Sequence, residues 1–386
     1  MIFQAPALPA EYRQVIQKIE TLREELRFAT SDALHRWTGF LARMTYARAM
    51  LGSNTMEGIN VTLDDAVAAV DRQEPLKPQD ENWLALTGYR EAMEYVIQLS
   101  RESYPYSQGT VLGLHYMLMK YDPTKNPGRW RPGVVTVTNT ATGETVYEGP
   151  DAALVPELMT ELFTYLNAPV EQHVLVRAAM AHLNLTLIHP FKDGNGRMAR
   201  VLQTMVLAKE GILSPVFSSI EEYVGGNVLE YYAVLTEVGK GSWHPQNNAL
   251  PWIRFCLTAH YRQAMTLLRR VKEAATLYVA LEDEVKKRKL NERVMYALLD
   301  AAVGLSVKSP AYRQVAEVSD QVATLDLQGL ITHGFLIAKG ERRWRHYVAS
   351  ERLVEIRNSV RIKPQKLDPF EDLAAEVQPQ LPGLAA

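Results

Sequence analysis

Residues 189–200 read His-Pro-Phe-Lys-Asp-Gly-Asn-Gly-Arg-Met-Ala-Arg, and the rest of the chain is interpreted outward from them. Gly194 and Gly196 permit a tight turn and a close approach of a ligand to the backbone. A helix that begins here would point its free N–H groups at one spot, which suits an anion. Arg197 and Arg200 share one face of that helix, and two arginines beside such a site fit a polyphosphate better than a single carboxylate.

The same stretch also supplies a metal ligand and a base. Asp193 is a hard oxygen ligand that could hold Mg²⁺ together with phosphate oxygens. His189 precedes the loop and can act as a general base near neutral pH, while Phe191 is expected to turn inward as an anchor. A base, a metal ligand, an anion site and two cations indicate in-line displacement at a phosphorus atom.

Residues 189–200 resemble the Fic family pattern His-x-Phe-x-(Asp/Glu)-Gly-Asn-Gly-Arg-x-x-Arg and match every fixed position. The resemblance implies a protein adenylyltransferase, in which a target hydroxyl attacks the α-phosphorus of ATP and pyrophosphate leaves. It implies the following roles: His189 as base, Asp193 as Mg²⁺ ligand, Gly194, Asn195 and Gly196 as anion hole, Arg197 on the departing phosphates, and Arg200 on the γ-phosphate. Some members of the family use other nucleotides or phosphocholine, or remove AMP, and the motif does not separate these activities.

A second segment, Ser53-Asn-Thr-Met-Glu-Gly58, resembles the inhibitory pattern of the same family, (Ser/Thr)-x-x-x-Glu-(Gly/Asn). On a helix, Ser53 and Glu57 would share a face. The resemblance implies that Glu57 pairs with Arg200 and thereby removes the partner of the γ-phosphate. The alternative is a solvated glutamate at a helix end that Gly58 caps.

Two further segments resemble parts of the nucleotide and target sites. Residues 128–150 are similar to the family's flap, a hairpin that docks the target segment by strand addition, with Val137 and Thr138 beside the target side chain. The alternative is a hairpin that only covers the core. Tyr231 and Tyr232 match a tyrosine pair near the adenine, but adjacent helical positions point apart, so at least one of the two is expected in the core.

Composition limits the other classes of function. The chain has 386 residues, 47% hydrophobic and 22% charged, with a net charge of −2 and one cysteine, Cys256. These values fit a globular protein with no overall attraction to nucleic acid or membrane. No signal peptide or membrane span is predicted, and the cytoplasm is the expected location. The sequence contains no cluster of Cys and His residues, so a zinc site is not expected. His115 and His182 are interpreted as structural.

The predicted fold is mainly α: a Fic helical bundle with a β-hairpin flap, followed by a winged-helix-like module. Its proposed divisions are residues 1–105 with the inhibitory helix, 106–260 as the catalytic core, 261–363 as linker helix and winged-helix-like module, and 364–386 as a mobile tail. The module follows from the order of helix, helix, helix, strand, turn and strand after residue 291.

The function of the C-terminal module stays open at this point. Residues 261–367 carry 20 Lys or Arg against 12 Asp or Glu, and Arg342, Arg343, Trp344 and Arg345 cluster at the proposed wing. The acidic residues on or beside the supposed recognition helix, Glu317, Asp320 and Asp326, disfavour phosphate contact. DNA binding, protein docking and homodimer formation therefore remain alternatives, as do a DNA-binding regulator whose core only senses nucleotide and an enzyme that removes AMP.

Overall fold

Most of the chain folds into helices, and the short strands form two hairpins. The protein is represented by a computed structural model that describes residues 1–30, 37–75, 80–102, 104–138, 143–169, 172–209, 211, 214–341, 344–365 and 367–371. The helices before the central motif are α1 (Ala10–Ala29), α2 (Thr38–Thr55), α3 (Leu63–Val70), α4 (Glu81–Leu99), α5 (Gln108–Met119), α6 (Val155–Asn167) and α7 (Val174–Ile188). Those that follow are α8 (Asn195–Ala208), α9 (Pro215–Ser218), α10 (Glu221–Gly226), α11 (Val228–Gly239), α12 (Leu250–Lys287), α13 (Met295–Ala302), α14 (Ser309–Ala316), α15 (Asp320–Thr332) and α16 (Glu351–Ser359).

The two hairpins are antiparallel. Strand β1 (Thr136–Thr138) pairs with β2 (Thr145–Glu148), with Val137 opposite Tyr147. Strand β3 (Leu336–Lys339) pairs with β4 (His346–Ala349). The first hairpin lies within residues 128–150, where the flap was expected. Strand β1 begins two residues after Val134, whose side chain is exposed.

The central core forms around α7 and α8. Nearly every side chain of α7 is buried, as expected for a helix that is apolar on all faces. α8 packs along α7 and also contacts α4, while α1 runs along the first half of α12. This packing fixes the end of α7 and the start of α8, which bound the loop of the central motif at residues 189–194.

Local sequence sets several helix boundaries. Thr62 and Asp65 form a reciprocal capping box at the start of α3, and the side chains of Asp80 and Ser107 cap α4 and α5. Helix α12 is one continuous helix of 38 residues. Lys289, just beyond its end, has a positive φ of 54°.

The C-terminal part has its own core. Helices α13 to α16 and the hairpin β3–β4 bury a separate apolar cluster together with the last turns of α12. Their order agrees with the sequence expectation, and the assignment as a winged helix stays a prediction. Asp326 of α15 is engaged internally, because it accepts hydrogen bonds from Arg293 at 2.7 and 3.0 Å and from Tyr312 at 2.8 Å. Of the proposed wing residues, Arg342 and Arg343 lie outside the described residues.

None of the helices in the described part of the chain is both long enough and apolar enough to cross a bilayer.

Candidate active site

The candidate base, His189, is the first residue after α7 and begins the motif loop. His189 follows α7 in the left-handed conformation, with a φ of 51°. Its Nδ1 lies 3.1 Å from the carbonyl oxygen of Thr186. Because a carbonyl only accepts, Nδ1 carries the proton of the neutral ring and Nε2 keeps a lone pair. Burial lowers the pKa of His189, so the ring is neutral at pH 7 and can accept a proton.

The motif loop is closed by one side chain. The amide of Asn195 accepts a hydrogen bond from the Phe191 N–H and donates one to the Phe191 carbonyl, both at 2.9 Å. Gly194 adopts a φ of 75°, and a Cβ there would lie 2.8 Å from the sulfur of Met119. The Asn195 side chain is thus committed to the loop, so a nucleotide contact from this residue falls to its backbone N–H at the start of α8.

His115 links the motif loop to the segment that leads into the flap. The Gly128 N–H donates to its Nδ1 at 2.9 Å, so its Nε2–H donates to the Asp193 carbonyl at 3.0 Å. Its ring stacks on Phe191 with centroids 3.6 Å apart. Burial lowers the pKa of His115 to about 4, which keeps the ring neutral. The structural role expected for this histidine therefore includes positioning the motif loop.

Arg197 is a buried cation surrounded by neutral groups. Its Nη atoms reach the Tyr121 hydroxyl at 3.3 and 3.4 Å and the Met119 sulfur at 3.0 Å, and its Nε has no hydrogen-bond partner. No carboxylate among the described residues forms an ion pair with it. A buried, incompletely paired guanidinium beside a helix N-terminus favours an anionic ligand.

Arg200 is already paired. It donates from Nε to the Ser53 hydroxyl at 2.7 Å, and from Nη2 to the Ser53 carbonyl at 2.9 Å and to the Glu57 carboxylate at 2.7 Å. Burial opposes the charge on Arg200, yet Glu57 raises its pKa overall. A Cβ built on Gly196 would collide with Glu57 Oε1, so this carboxylate lies directly over the first turn of α8. The structure therefore brings Ser53 and Glu57 onto the motif.

The segment that carries Glu57 differs in one respect from the sequence expectation. Helix α2 ends at Thr55, and Glu57 lies in the turn that follows rather than on a helix face shared with Ser53. The Glu57 N–H still donates to the Asn54 carbonyl at 3.0 Å, and Gly58 completes the turn with a φ of 75°. This tight, hydrogen-bonded turn places the Glu57 carboxylate over the first turn of α8.

Asp193, the candidate metal ligand, is paired with a lysine that sequence reasoning missed. Its carboxylate receives the Lys125 ammonium at 2.8 Å and the Gly194 N–H at 2.6 Å. Burial raises the pKa of Asp193, but Lys125 and the Gly194 N–H outweigh burial and lower it overall. Nothing in the sequence around Lys125 marks it, because 68 residues separate the two partners.

Arg131 links the flap to the motif loop through hydrogen bonds. Its side chain donates from Nε to the His189 carbonyl at 2.8 Å, and its backbone N–H donates to the Pro190 carbonyl at 2.9 Å. Val137 is half-buried against the main core and Thr138 is exposed. Sequence reasoning included Arg131 only as part of the flap pattern and did not assign it this contact.

Tyr231 is buried and Tyr232 is exposed, as expected for adjacent positions on a helix. Tyr231 is 2% exposed, and its hydroxyl lies 3.0 Å from Nε2 of His182, so its ring is not available to a base. Tyr232 is 43% exposed, and its ring packs edge-on against Tyr231 with the ring centroids 5.2 Å apart. The expectation of an adenine contact is therefore corrected for Tyr231 and kept for Tyr232.

Comparison with known proteins agrees with this geometry. Residues 105–207 match the Fic/DOC family model. A protein adenylyltransferase fic-1 from Caenorhabditis briggsae is 26% identical over 251 residues, which cover 62% of this chain and 45% of that relative. The chain therefore spans less than half the length of this relative.

Two solved structures share the fold. A Fic family protein from Desulfovibrio desulfuricans G20 superposes with a TM-score of 0.58 at 21% identity, covering 90% of this chain and 99% of that one. Fic-1 from C. elegans superposes with a TM-score of 0.52 at 22% identity, covering 67% of this chain and 72% of that one.

Proposed function

We propose that this chain, a member of the Fic family, is a protein adenylyltransferase that moves AMP from ATP to a hydroxyl of a target protein. The observation that supports the proposal is that one continuous motif contains the buried, neutral His189, the N-terminus of α8 and the buried Arg197 with its unpaired Nε. The target oxygen attacks the α-phosphorus, the bond from that phosphorus to the bridging oxygen breaks, and pyrophosphate leaves. His189 Nε2 takes the hydroxyl proton, and the α8 N–H groups with Arg197 and Arg200 bind the phosphates.

Asp193 fits a magnesium ion. Its carboxylate already contacts a cation, Lys125, and Mg²⁺ is commonly bound by one or two carboxylates together with substrate phosphates. In the described part of the chain, no group of three or more His, Cys, Asp and Glu could hold a metal without the substrate. When bound, Mg²⁺ would supply positive charge to the phosphates.

The resting protein is proposed to be inhibited by Glu57. The carboxylate neutralises Arg200 and occupies the positive end of α8, where the charge of a triphosphate would lie. The Glu57 carboxylate and the triphosphate are both negatively charged and repel each other at this site. ATP therefore binds productively only when Glu57 leaves. Ser53 keeps Arg200 in place through its hydroxyl and its carbonyl.

The target is proposed to dock along the flap. Strand β2 is bridged on its far side to Ser242, so the edge left for an added strand in the described hairpin belongs to β1, which carries Val137 and Thr138. Backbone pairing at this edge would tolerate many target sequences. Arg131 couples the edge to His189, which aligns the incoming hydroxyl with the base.

The experiment is AMP transfer by a Glu57→Gly variant with labelled ATP and Mg²⁺. Label on the protein itself or on lysate proteins is expected from this variant and little from the parent chain. His189→Ala in the same background should abolish label and leave ATP binding intact. A folded Glu57→Gly protein that binds ATP but transfers no label would refute the proposal.

Removal of AMP is a second candidate, because the Glu57 carboxylate lies over Gly196 in the first turn of α8, beside the proposed phosphate site. In that reaction Glu57 would position the attacking water. Glu57→Gly would then destroy hydrolysis of an AMP-modified protein instead of raising transfer, so the two activities respond in opposite directions.

The remaining expectations stay predictions. A gel-shift series in increasing salt, with Arg345→Ala for comparison, tests DNA binding by the C-terminal module. Sedimentation tests the homodimer, and cell fractionation tests the cytoplasmic location.

A further inference from the structure

The turn that carries Glu57 lies between two helices that both rest on the C-terminal module. Helix α2 leads into the turn and α3 leaves it. Met44 and Ala47 of α2 bury a small apolar cluster with α3, and Leu305, which follows α13, completes that cluster. Phe40, one turn earlier in α2, packs against the core of the C-terminal module itself.

The guanidinium of Arg43 links α2, α3 and α13. Arg43 of α2 donates from Nη1 and Nη2 to the two carboxylate oxygens of Asp300 in α13, both at 2.8 Å, and from Nε to Asp71 at 2.9 Å. Asp71 is the C-cap of α3. These three side chains are only about a fifth exposed, and a bidentate, partly desolvated pair of this kind holds geometry better than a surface ion pair.

The other end of α3 is held as well. Asp64, in its first turn, accepts hydrogen bonds from the Ser306 N–H at 2.8 Å and from the Ser306 hydroxyl at 3.2 Å. Just beyond α3, Lys308 donates to the Glu74 carbonyl at 2.6 Å. The C-terminal module therefore contacts both ends of α3, and it contacts α2 at Arg43, ten residues before Ser53.

This contact is built so that it can separate. A cavity of about 910 Å³ runs along it and is lined by Arg43, Asp64 and Asp300 among others. The polar links thus border open space beside the apolar cluster that contains Leu305. A contact of this kind can open at a modest free-energy cost and expose its polar groups to water.

We infer that Arg43, Asp300 and Asp64 are positioning residues through which the C-terminal module keeps Glu57 on Arg200. Holding α2 and α3 lowers the entropy cost of keeping the turn between them in its inhibitory conformation. Release of the module from α2 and α3 lets the turn leave the α8 N-terminus. The effect on activity rests on the proposed function, whereas the effect on the turn does not.

The test uses the full chain with Asp300→Asn and, separately, Asp64→Asn, which keep side-chain shape and remove the charge. Hydrogen–deuterium exchange of residues 53–62 is expected to rise roughly two- to thirtyfold in each variant, which corresponds to the about 0.5–2 kcal/mol that residues coupling two sites commonly contribute. Label transfer should rise by a similar factor. In the Glu57→Gly background neither substitution should raise transfer further, because no inhibitory carboxylate is left to release.

The matched control is Asp320→Asn, which breaks the Arg313–Asp320 ion pair of the same module away from α2 and α3. It should leave exchange and transfer at parental values. Unchanged exchange of residues 53–62 in both Asp300→Asn and Asp64→Asn would overturn the inference, as would an equal rise of transfer in the Glu57→Gly background. If Glu57→Gly transfers no label, the proposed function fails, and the exchange measurement still decides the role of the module.

Discussion

At the scale of single residues, the protonation of His189 follows from its position at the end of α7. The left-handed backbone turns the ring back so that Nδ1 faces the Thr186 carbonyl, and burial disfavours the charged form. Both effects leave Nε2 unprotonated. Asp193, four residues later, is held ionised by Lys125 and by the Gly194 N–H.

The pH dependence of transfer by the Glu57→Gly variant should reflect the lowered pKa of His189. The base form is lost only as pH falls through the folded pKa, which lies below the ordinary value of 6.5. We therefore expect a single-turnover rate that is level above pH 6.5 and declines at lower pH. A midpoint at or above 6.5 in the pH–rate profile would contradict the burial argument.

Lys125 should compete with Mg²⁺ for Asp193. Lys125→Met is expected to lower the Mg²⁺ concentration for half-maximal ATP binding roughly two- to fivefold, since exposed ion pairs contribute about 0.2–1 kcal/mol. Calorimetric titration in the Glu57→Gly background measures this midpoint. Lys192→Met is the control, because Lys192 donates to the Thr124 carbonyl and not to the carboxylate. An unchanged or raised midpoint in Lys125→Met would show that the ion pair does not limit metal binding.

At the scale of elements, the position of Ser53 depends on how closely α2 approaches α10. Gly52 and Gly225 face each other at this crossing, and a Cβ built on Gly225 would lie 2.5 Å from the Gly52 Cα. Only glycine permits this approach. The crossing holds the end of α2 where Ser53 can reach Arg200.

Gly225→Ala should therefore force the two helices apart. We expect a loss of about 1–3 kcal/mol in the free energy of unfolding, as for other overpacked contacts, measured by urea denaturation. Gly226→Ala is the matched control, because no heavy atom lies within 4 Å of a Cβ built at that position. Equal stability of the two variants would argue against a tight crossing.

At the scale of the whole molecule, several buried histidines link folding to pH. Burial lowers the pKa of His182 and of His260 to about 3 and that of His115 to about 4. In the unfolded chain these rings titrate near 6.5, so below that pH the unfolded state binds more protons than the folded state. The stability they contribute is complete above 6.5 and is lost as pH falls.

The free energy of unfolding should consequently fall between pH 6.5 and pH 5. Each such histidine costs up to about 2 kcal/mol at pH 5, since one pKa unit corresponds to about 1.4 kcal/mol. Urea unfolding at pH 8, 6.5 and 5 measures the slope, and His260→Asn should reduce it. A stability that is flat over this range, or that rises on acidification, would mean that these rings are not held neutral.

The sequence by itself determined the features that depend on near neighbours in the chain. The motif of residues 189–200 and the hairpin within residues 128–150 depend on local sequence, so their interpretation did not need the fold. The tyrosine pair shows the limit of such reasoning: helical geometry predicted that one ring would be buried, and only packing against His182 selected Tyr231.

Only the tertiary structure decided which distant residues complete the site. No pattern around Lys125 or His115 predicts that these residues contact Asp193. The flap pattern includes Arg131 but does not predict its hydrogen bond to the His189 carbonyl. The Arg43–Asp300 pair spans 257 positions. Such contacts arise because packing of the helices brings their ends together, and a charge or hydrogen-bond donor acquires a role only when its partner is within about 3 Å.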